Sequence, residues 1–165
     1  MLCFDKILFR LKTVFLYLVM LSSLLPVVTV ANQASTIREI KDLGLEARLS
    51  EGKQLIIILF SASSCEYCEL IRQSYLLPLQ QNSKYKDKIR IGQVEKEDYY
   101  YLYDFNGESI GGDTLALRYD IDLVPTIIFI DHKGRELAKR IVGITLIDYL
   151  DMYIDQAIQS SINKI

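Results

Sequence analysis

The chain of 165 residues is half hydrophobic, carries 19 Lys and Arg against 21 Asp and Glu for a net charge of −2, and has no tryptophan. That length can bury a full core without a cross-link to hold it. The near-balanced charge leaves no basic stripe to follow a phosphate backbone, which excludes nucleic acid as a partner.

Residues 1–31 differ in kind from the rest. Lys6, Arg10 and Lys12 precede the nearly uncharged run TVFLYLVMLSSLLPVVTVA, which is the layout of a secretory signal. Thr29 and Ala31 place small residues at positions −3 and −1 of a cut after Ala31. The alternative is an uncleaved anchor: Thr13 to Ala31 is about long enough to span a bilayer, with Ser22, Ser23 and Pro26 counting against it. Cys3 has no lipid-attachment context. The expected location is therefore periplasmic or otherwise exported, with membrane contact only through this segment. The remaining residues, 32–165, carry 16 Lys and Arg against 20 Asp and Glu, a net charge of about −4.

In chain order, TIREIKDLGLEARL spaces Ile37, Ile40, Leu43, Leu45 and Leu49 as an amphipathic helix over 36–49, closed by Gly52. QLIIILFSA then reads as a strand buried on both faces. Ser63 and Ser64 offer caps for a helix through Leu70, Ile71, Tyr75 and Leu79, which Pro78 should kink or end. KIRIGQVEKED reads as a second strand with Ile89, Ile91 and Val94 inward, and its EKED end as solvated surface. Asn106-Gly107 between two short runs predicts a hairpin over 101–112. A short helix capped by Asp113 follows, then an antiparallel pair, VPTIIFID and RELAKRIVG, around the turn DHKG. The last helix places Leu146, Leu150, Tyr153, Ile154 and Ile158 on one face. Strands separated by helices and closed by a hairpin of strands predict one α/β domain with a mixed sheet.

Beyond residue 31 the only cysteines are Cys65 and Cys68. A disulfide stabilises chiefly by closing long loops, and this pair closes almost none, so a purely structural cross-link has little to offer. Zinc wants four ligands, and only these two cysteines and His132, in a turn, are on hand. Copper(I) can accept two thiolates. A working redox couple is the remaining reading. The first turn of a helix favours thiolate, so Cys65, the outermost, is the expected nucleophile, and Cys68, one turn inward, the resolving cysteine. Glu66 and Glu69 add negative charge beside the sulfurs and should tilt the couple toward reductant by roughly some tens of millivolts.

CEYC after a buried strand, with VPT some sixty residues later, resembles the thioredoxin superfamily. CEYCELIRQSYLLP, YDFNGE and LALRYDIDLVPTIIFIDHKGRELAKRIVG are most similar to the secreted bacterial thioredoxin-like proteins of the SoxW type. The resemblance implies a thioredoxin-like fold: a central mixed β-sheet flanked by helices, with a small hairpin insertion. It implies a thiol–disulfide oxidoreductase whose only redox group is the Cys65–Cys68 disulfide, with no separate cofactor and no metal. Pro125 corresponds to the cis-proline, so that Val124, Pro125 and Thr126 would hold a substrate backbone as a short added strand. Glu66 and Tyr67, between the cysteines, would tune the couple. Leu59 stands where many members have a buried acid, so proton transfer at Cys68 must use another group or water.

The preferred reading is an exported reductase of protein or small-molecule disulfides, supplied with electrons by a membrane thiol donor. The alternatives are a non-catalytic binding module or copper carrier on the same fold, and a net oxidase or isomerase. The tyrosines at 99, 100, 101 and 103 are read as core and hairpin packing in preference to a peptide groove.

Overall fold

A computed structural model describes residues 36–97, 99–144 and 147–165. The expected signal segment and Leu146 lie outside the described residues. Among the described residues no helix is long and apolar enough to cross a membrane.

The sheet is organised around β1, Leu55–Ser61, in which all seven residues are buried. A strand alternates its side chains between faces, and both faces here are covered. Leu55, Ile57 and Leu59 join one apolar cluster, while Ile56, Ile58 and Phe60 join the other. β2 (Ile89–Glu95) pairs with β1 in parallel, and β5 (Thr126–Ile130) pairs antiparallel on its other side. β6 (Ile141–Val142) completes the order β2-β1-β5-β6. β3 (Tyr101–Tyr103) and β4 (Ser109–Gly111) form the separate hairpin. The mixed sheet and the hairpin are those expected from the sequence.

Helix α1 is shorter than the spacing suggests. It runs Leu43–Leu49, capped by Asp42, whose carboxylate accepts from Leu45 N at 2.7 Å. Residues before it are extended: Glu39 bridges to Gln93 in parallel, and Ile40 N donates to the Gln93 carbonyl at 2.9 Å. A spacing of three fits a helix face, but it also fits two buried faces of a strand. Ile37 joins one apolar cluster and Ile40 the other, as a strand requires, whereas Leu45 and Leu49 are exposed.

β2 likewise divides its apolar residues, Ile89 and Ile91 to the first cluster and Val94 to the second. The second helical stretch is α2 (Glu66–Ile71), a π-helical turn (Arg72–Leu76) and α3 (Leu77–Gln81). Pro78 therefore does not end the helix. It sits in the first turn of α3, where a missing N–H is tolerated, and the irregularity falls in the wider turn upstream.

α4 (Gly112–Arg118) begins at Gly111 with no side-chain cap. Asp113 lies inside the first turn and accepts from the Thr114 amide at 2.6 Å, so it is not the cap. β5 and β6 pair only in part. Ile130 bridges to Glu136, and Thr126 and Ile127 meet Val142 and Ile141. α5 (Leu150–Ile162) buries Leu150, Ile154, Ala157, Ile158 and Ser161, while Tyr153 stays largely exposed.

Candidate functional site

The carboxyl ends of the parallel pair β1 and β2 lie side by side, Ser61 opposite Glu95, and the chain turns from Ser61 through residues 62–64 into α2. Cys65 is the N-cap of α2, and its Sγ accepts from the Cys68 amide at 3.2 Å. Cys65 and Cys68 are joined by a disulfide, with Cα atoms 5.2 Å apart. Cys65 is partly exposed and Cys68 entirely buried. Ser63 and Ser64, expected as caps, do other work. Ser64 is left-handed at φ +59°, and Ser63 is bound to Glu97, its amide at 3.0 Å and its hydroxyl at 3.2 Å.

Glu97 is thus no mere solvated residue. Tyr99 also hydrogen-bonds Ser63, and its hydroxyl donates to Glu97 at 2.8 Å. Burial works to raise the Glu97 carboxyl, but the bonds from Tyr99 and Ser63 outweigh it and hold its pKa below the usual range. At the neighbouring Glu95, burial and then the Glu97 charge push the pKa up.

The two carboxylates beside the cysteines behave differently. Glu66 is exposed, whereas Glu69 accepts from Arg72 Nε at 2.8 Å and Gln73 Nε2 at 3.0 Å. Its hydrogen bond to Arg72 above all lowers the Glu69 pKa. Arg72 continues inward: Nη1 donates to Gln93 Oε1 at 2.9 Å and Ser61 Oγ at 3.3 Å. Sequence reading missed Arg72, Gln93 and Glu97. For Arg72 the signal was its spacing, four residues after Cys68.

At the carboxyl end of β1, where Thr126 pairs with Phe60, the Val124–Pro125 peptide is cis. The Pro125 carbonyl accepts from Gly143 N at 2.8 Å, while among the described residues Val124 N and O have no hydrogen-bond partner. Pro125 and Thr126 are buried, and the Thr126 hydroxyl donates to the Leu123 carbonyl at 2.7 Å. Thr126 therefore braces the loop, while Val124 is half-buried against the second apolar cluster. Tyr67 is 65% exposed and Leu123 63%.

His132 lies at the other end of the sheet, beside Gly52, which precedes β1. A seven-residue strand spans roughly 20 Å, which separates His132 from the cysteines. Among the described residues no group of three or more His, Cys, Asp or Glu is placed to hold a metal ion. Of the tyrosines at 99, 100, 101 and 103, only Tyr100 packs inside, its hydroxyl donating to the Ile40 carbonyl at 2.8 Å. Tyr99, Tyr101 and Tyr103 are exposed, contrary to the packing expectation: β3 turns Leu102 inward between Tyr101 and Tyr103, and Tyr99 is bonded to Ser63 and Glu97.

No curated protein matches the chain by sequence. Among solved structures, the fold is similar to oxidised thioredoxin O2 of Arabidopsis thaliana, which is 21% identical with a TM-score of 0.51, over 76% of this chain and 97% of that one. It is similar to the Malassezia sympodialis thioredoxin Mala s 13, 17% identical with a TM-score of 0.51, over 80% of this chain and 98% of that one. Fasciola hepatica thioredoxin is 20% identical with a TM-score of 0.50, over 76% of this chain and 99% of that one. At these identities the likeness shows the fold. Residues 44–158 match the family model of the thioredoxin-like domain. That span takes in most of α1, the disulfide, the Val124–Pro125 loop and most of α5, and the chain belongs to the thioredoxin-like domain family as a thiol–disulfide oxidoreductase.

Proposed function

We propose that this oxidoreductase is exported, that it is of the secreted SoxW type, and that it reduces disulfides in proteins or small molecules. The observation that carries the reading is the unequal exposure of the two sulfurs' residues, Cys65 reachable and Cys68 enclosed. The Cys65 thiolate attacks a substrate disulfide, forming a Cys65–substrate bond as the far substrate sulfur leaves with the electron pair and takes a proton. The Cys68 thiolate then attacks Cys65, closing the intramolecular disulfide and releasing the second substrate sulfur. Val124, with free backbone groups among the described residues, would take the substrate as an added strand against the Pro125 and Thr126 turn. Tyr67 and Leu123 would give it an apolar footing, and Glu66 would bias the couple toward reductant.

An oxidising compartment demands electrons from outside, so a membrane thiol donor is the proposed partner. The exported start, Lys6 to Ala31, supports that location. With dithiothreitol, the wild type should speed insulin reduction and Cys65→Ser should not; an inactive wild type removes the reading. Cys68→Ser should accumulate a mixed disulfide through Cys65 with the natural substrate. A reduction potential near that of strong oxidants, about −120 mV, would overturn the reducing direction.

A further inference from the structure

Arg72 brings a positive charge from the cysteine helix down to the sheet. Its amide donates to the Cys68 carbonyl, so the two residues stand one turn apart on one helix face. Long side chains on a helix lean toward the preceding turn, which here is the turn that carries Cys68. The Arg72 side chain is only 18% exposed. Its guanidinium is pinned by groups on three elements: Glu69 of α2, Ser61 of β1 and Gln93 of β2. Among the described residues its one ion-pair partner, Glu69, sits at the exposed rim. Among the described residues the inner edge, Nη1, hydrogen-bonds only the neutral oxygens of Gln93 and Ser61. The Glu69 pair takes up part of the guanidinium charge at Nε, while the Nη1 edge, held by neutral acceptors, leaves charge directed at what else shares that face.

We infer that Arg72 is a positioning residue for the resolving half of the couple, holding a fixed positive charge on the Cys68 face that stabilises the Cys68 thiolate released whenever the disulfide opens. The inference rests on the proposed redox reading. When an incoming thiolate attacks Cys65, the new S–S bond forms at Cys65, the Cys65–Cys68 bond breaks, and its electron pair stays on Cys68. A cation on that face favours this state and so favours the reduced protein. Its effect opposes that of Glu66. The other charged groups near this face are Glu69, paired with Arg72, and Glu95 at the end of β2 with Glu97 beyond it. Glu95, opposite Ser61, is an anion on which the Arg72 charge also acts, and Arg72 is the cation of the group. The net poise then sets the enclosed guanidinium after Cys68 against the carboxylates of Glu66, Glu95 and Glu69, the last paired with it.

The test uses the full 165-residue chain as wild type, Arg72→Met and Arg72→Lys. Each is equilibrated with glutathione buffers at low salt, and reduced protein is counted by thiol alkylation. Arg72→Met should lower the equilibrium constant for reduction about three- to tenfold, tenfold being about 30 mV. Arg72→Lys, which keeps the charge, should stay within about twofold of wild type, on the scale that one pKa unit is tenfold. Thermal midpoints should show the reduced form losing more than the oxidised form in Arg72→Met. Equal losses in both forms with an unchanged equilibrium constant would overturn the inference and leave the redox reading standing. Arg72→Lys shifting as far as Arg72→Met would also overturn it, since geometry would then matter and charge would not. A wild-type pair that never equilibrates with glutathione would remove the redox reading and this inference together.

Discussion

The two faces of the sheet are built from alternate residues of the same strand, yet they end differently. On the face covered by α4, Ile56, Ile58 and Phe60 run apolar to the top, joined by Val94 and Leu115. On the face covered by α2, Leu55, Ile57 and Leu59 give way to Ser61, which is buried and meets Arg72 beside Gln93. On β1 the first face stays apolar to its end, with Thr126 of β5 the buried polar neighbour of Phe60; the second gives up its last β1 position to the cluster of Ser61, Arg72 and Gln93. Along β1 a polar side chain is admitted only at the end that leads into the disulfide loop, which predicts that substitutions on the two faces will separate into stability effects and redox effects.

The packed face should break first at Gly112. A Cβ there would lie 1.9 Å from the Glu95 carbonyl oxygen and 3.2 Å from that of Glu97. Both obstacles are backbone, so α4 would have to lift off β2. Gly112→Ala is expected to lose at least about 4 kcal/mol, or to prevent folding, as read by urea denaturation of the oxidised protein. A variant within about 1 kcal/mol of wild type would mean that α4 does not approach β2 so closely.

The neighbours Phe60 and Ser61 point to opposite faces and give the most direct contrast. Phe60→Ala empties a fully buried aromatic site and should cost about 3–5 kcal/mol. Ser61→Ala removes one of three acceptors of Arg72 and should cost about 1 kcal/mol or less. Equal losses in chemical denaturation would erase the distinction between the faces.

Much of this contrast was legible in the sequence, and the rest depended on register. The apolar run at Leu55–Phe60 announces a strand with two covered faces, and CEYC with VPT announces the disulfide and the loop opposite it. The segment at 36–41 misleads because Ile37 and Ile40 satisfy either period, and only the pairing of Glu39 with Gln93 decides between them. Asp42, the actual cap, was visible but the longer apolar pattern overrode it. Arg72, Gln93 and Glu97 could not be placed together from local patterns. Their meeting depends on Ser61 standing opposite Glu95 across the parallel pair, a tertiary fact.

The hairpin adds a charge outside both faces. The Asp104 carboxylate is buried and accepts from Asn106 N at 2.8 Å, Glu108 N at 2.9 Å and Arg118 Nη1 at 2.5 Å. Burial works to raise its pKa, but Arg118 and the two amides prevail and depress it. A carboxyl depressed in the folded state stabilises above its unfolded pKa of about 3.9, and that contribution is lost as pH falls through the lower folded value. Asp104→Asn should cost about 1–3 kcal/mol at pH 7 and clearly less near pH 2. A cost that does not shrink across that range would assign the loss to loop geometry and not to charge.

The smallest effect is expected at Ser64, between the two faces and next to Cys65. Its φ of +59° places it in the left-handed region, which costs an ordinary residue about 1 kcal/mol or more. Glycine removes that cost but frees the unfolded chain by about 0.5–1 kcal/mol, so Ser64→Gly should leave stability within about 0.5 kcal/mol of wild type. Ser64→Val puts a β-branched side chain in the same conformation and should lose about 1–2 kcal/mol more, although Ser64 is exposed and packs against little. The pair separates backbone from packing at one position. If valine were as well tolerated as glycine in urea denaturation of the oxidised form, the left-handed turn that delivers Cys65 to the head of α2 would not be maintained in solution.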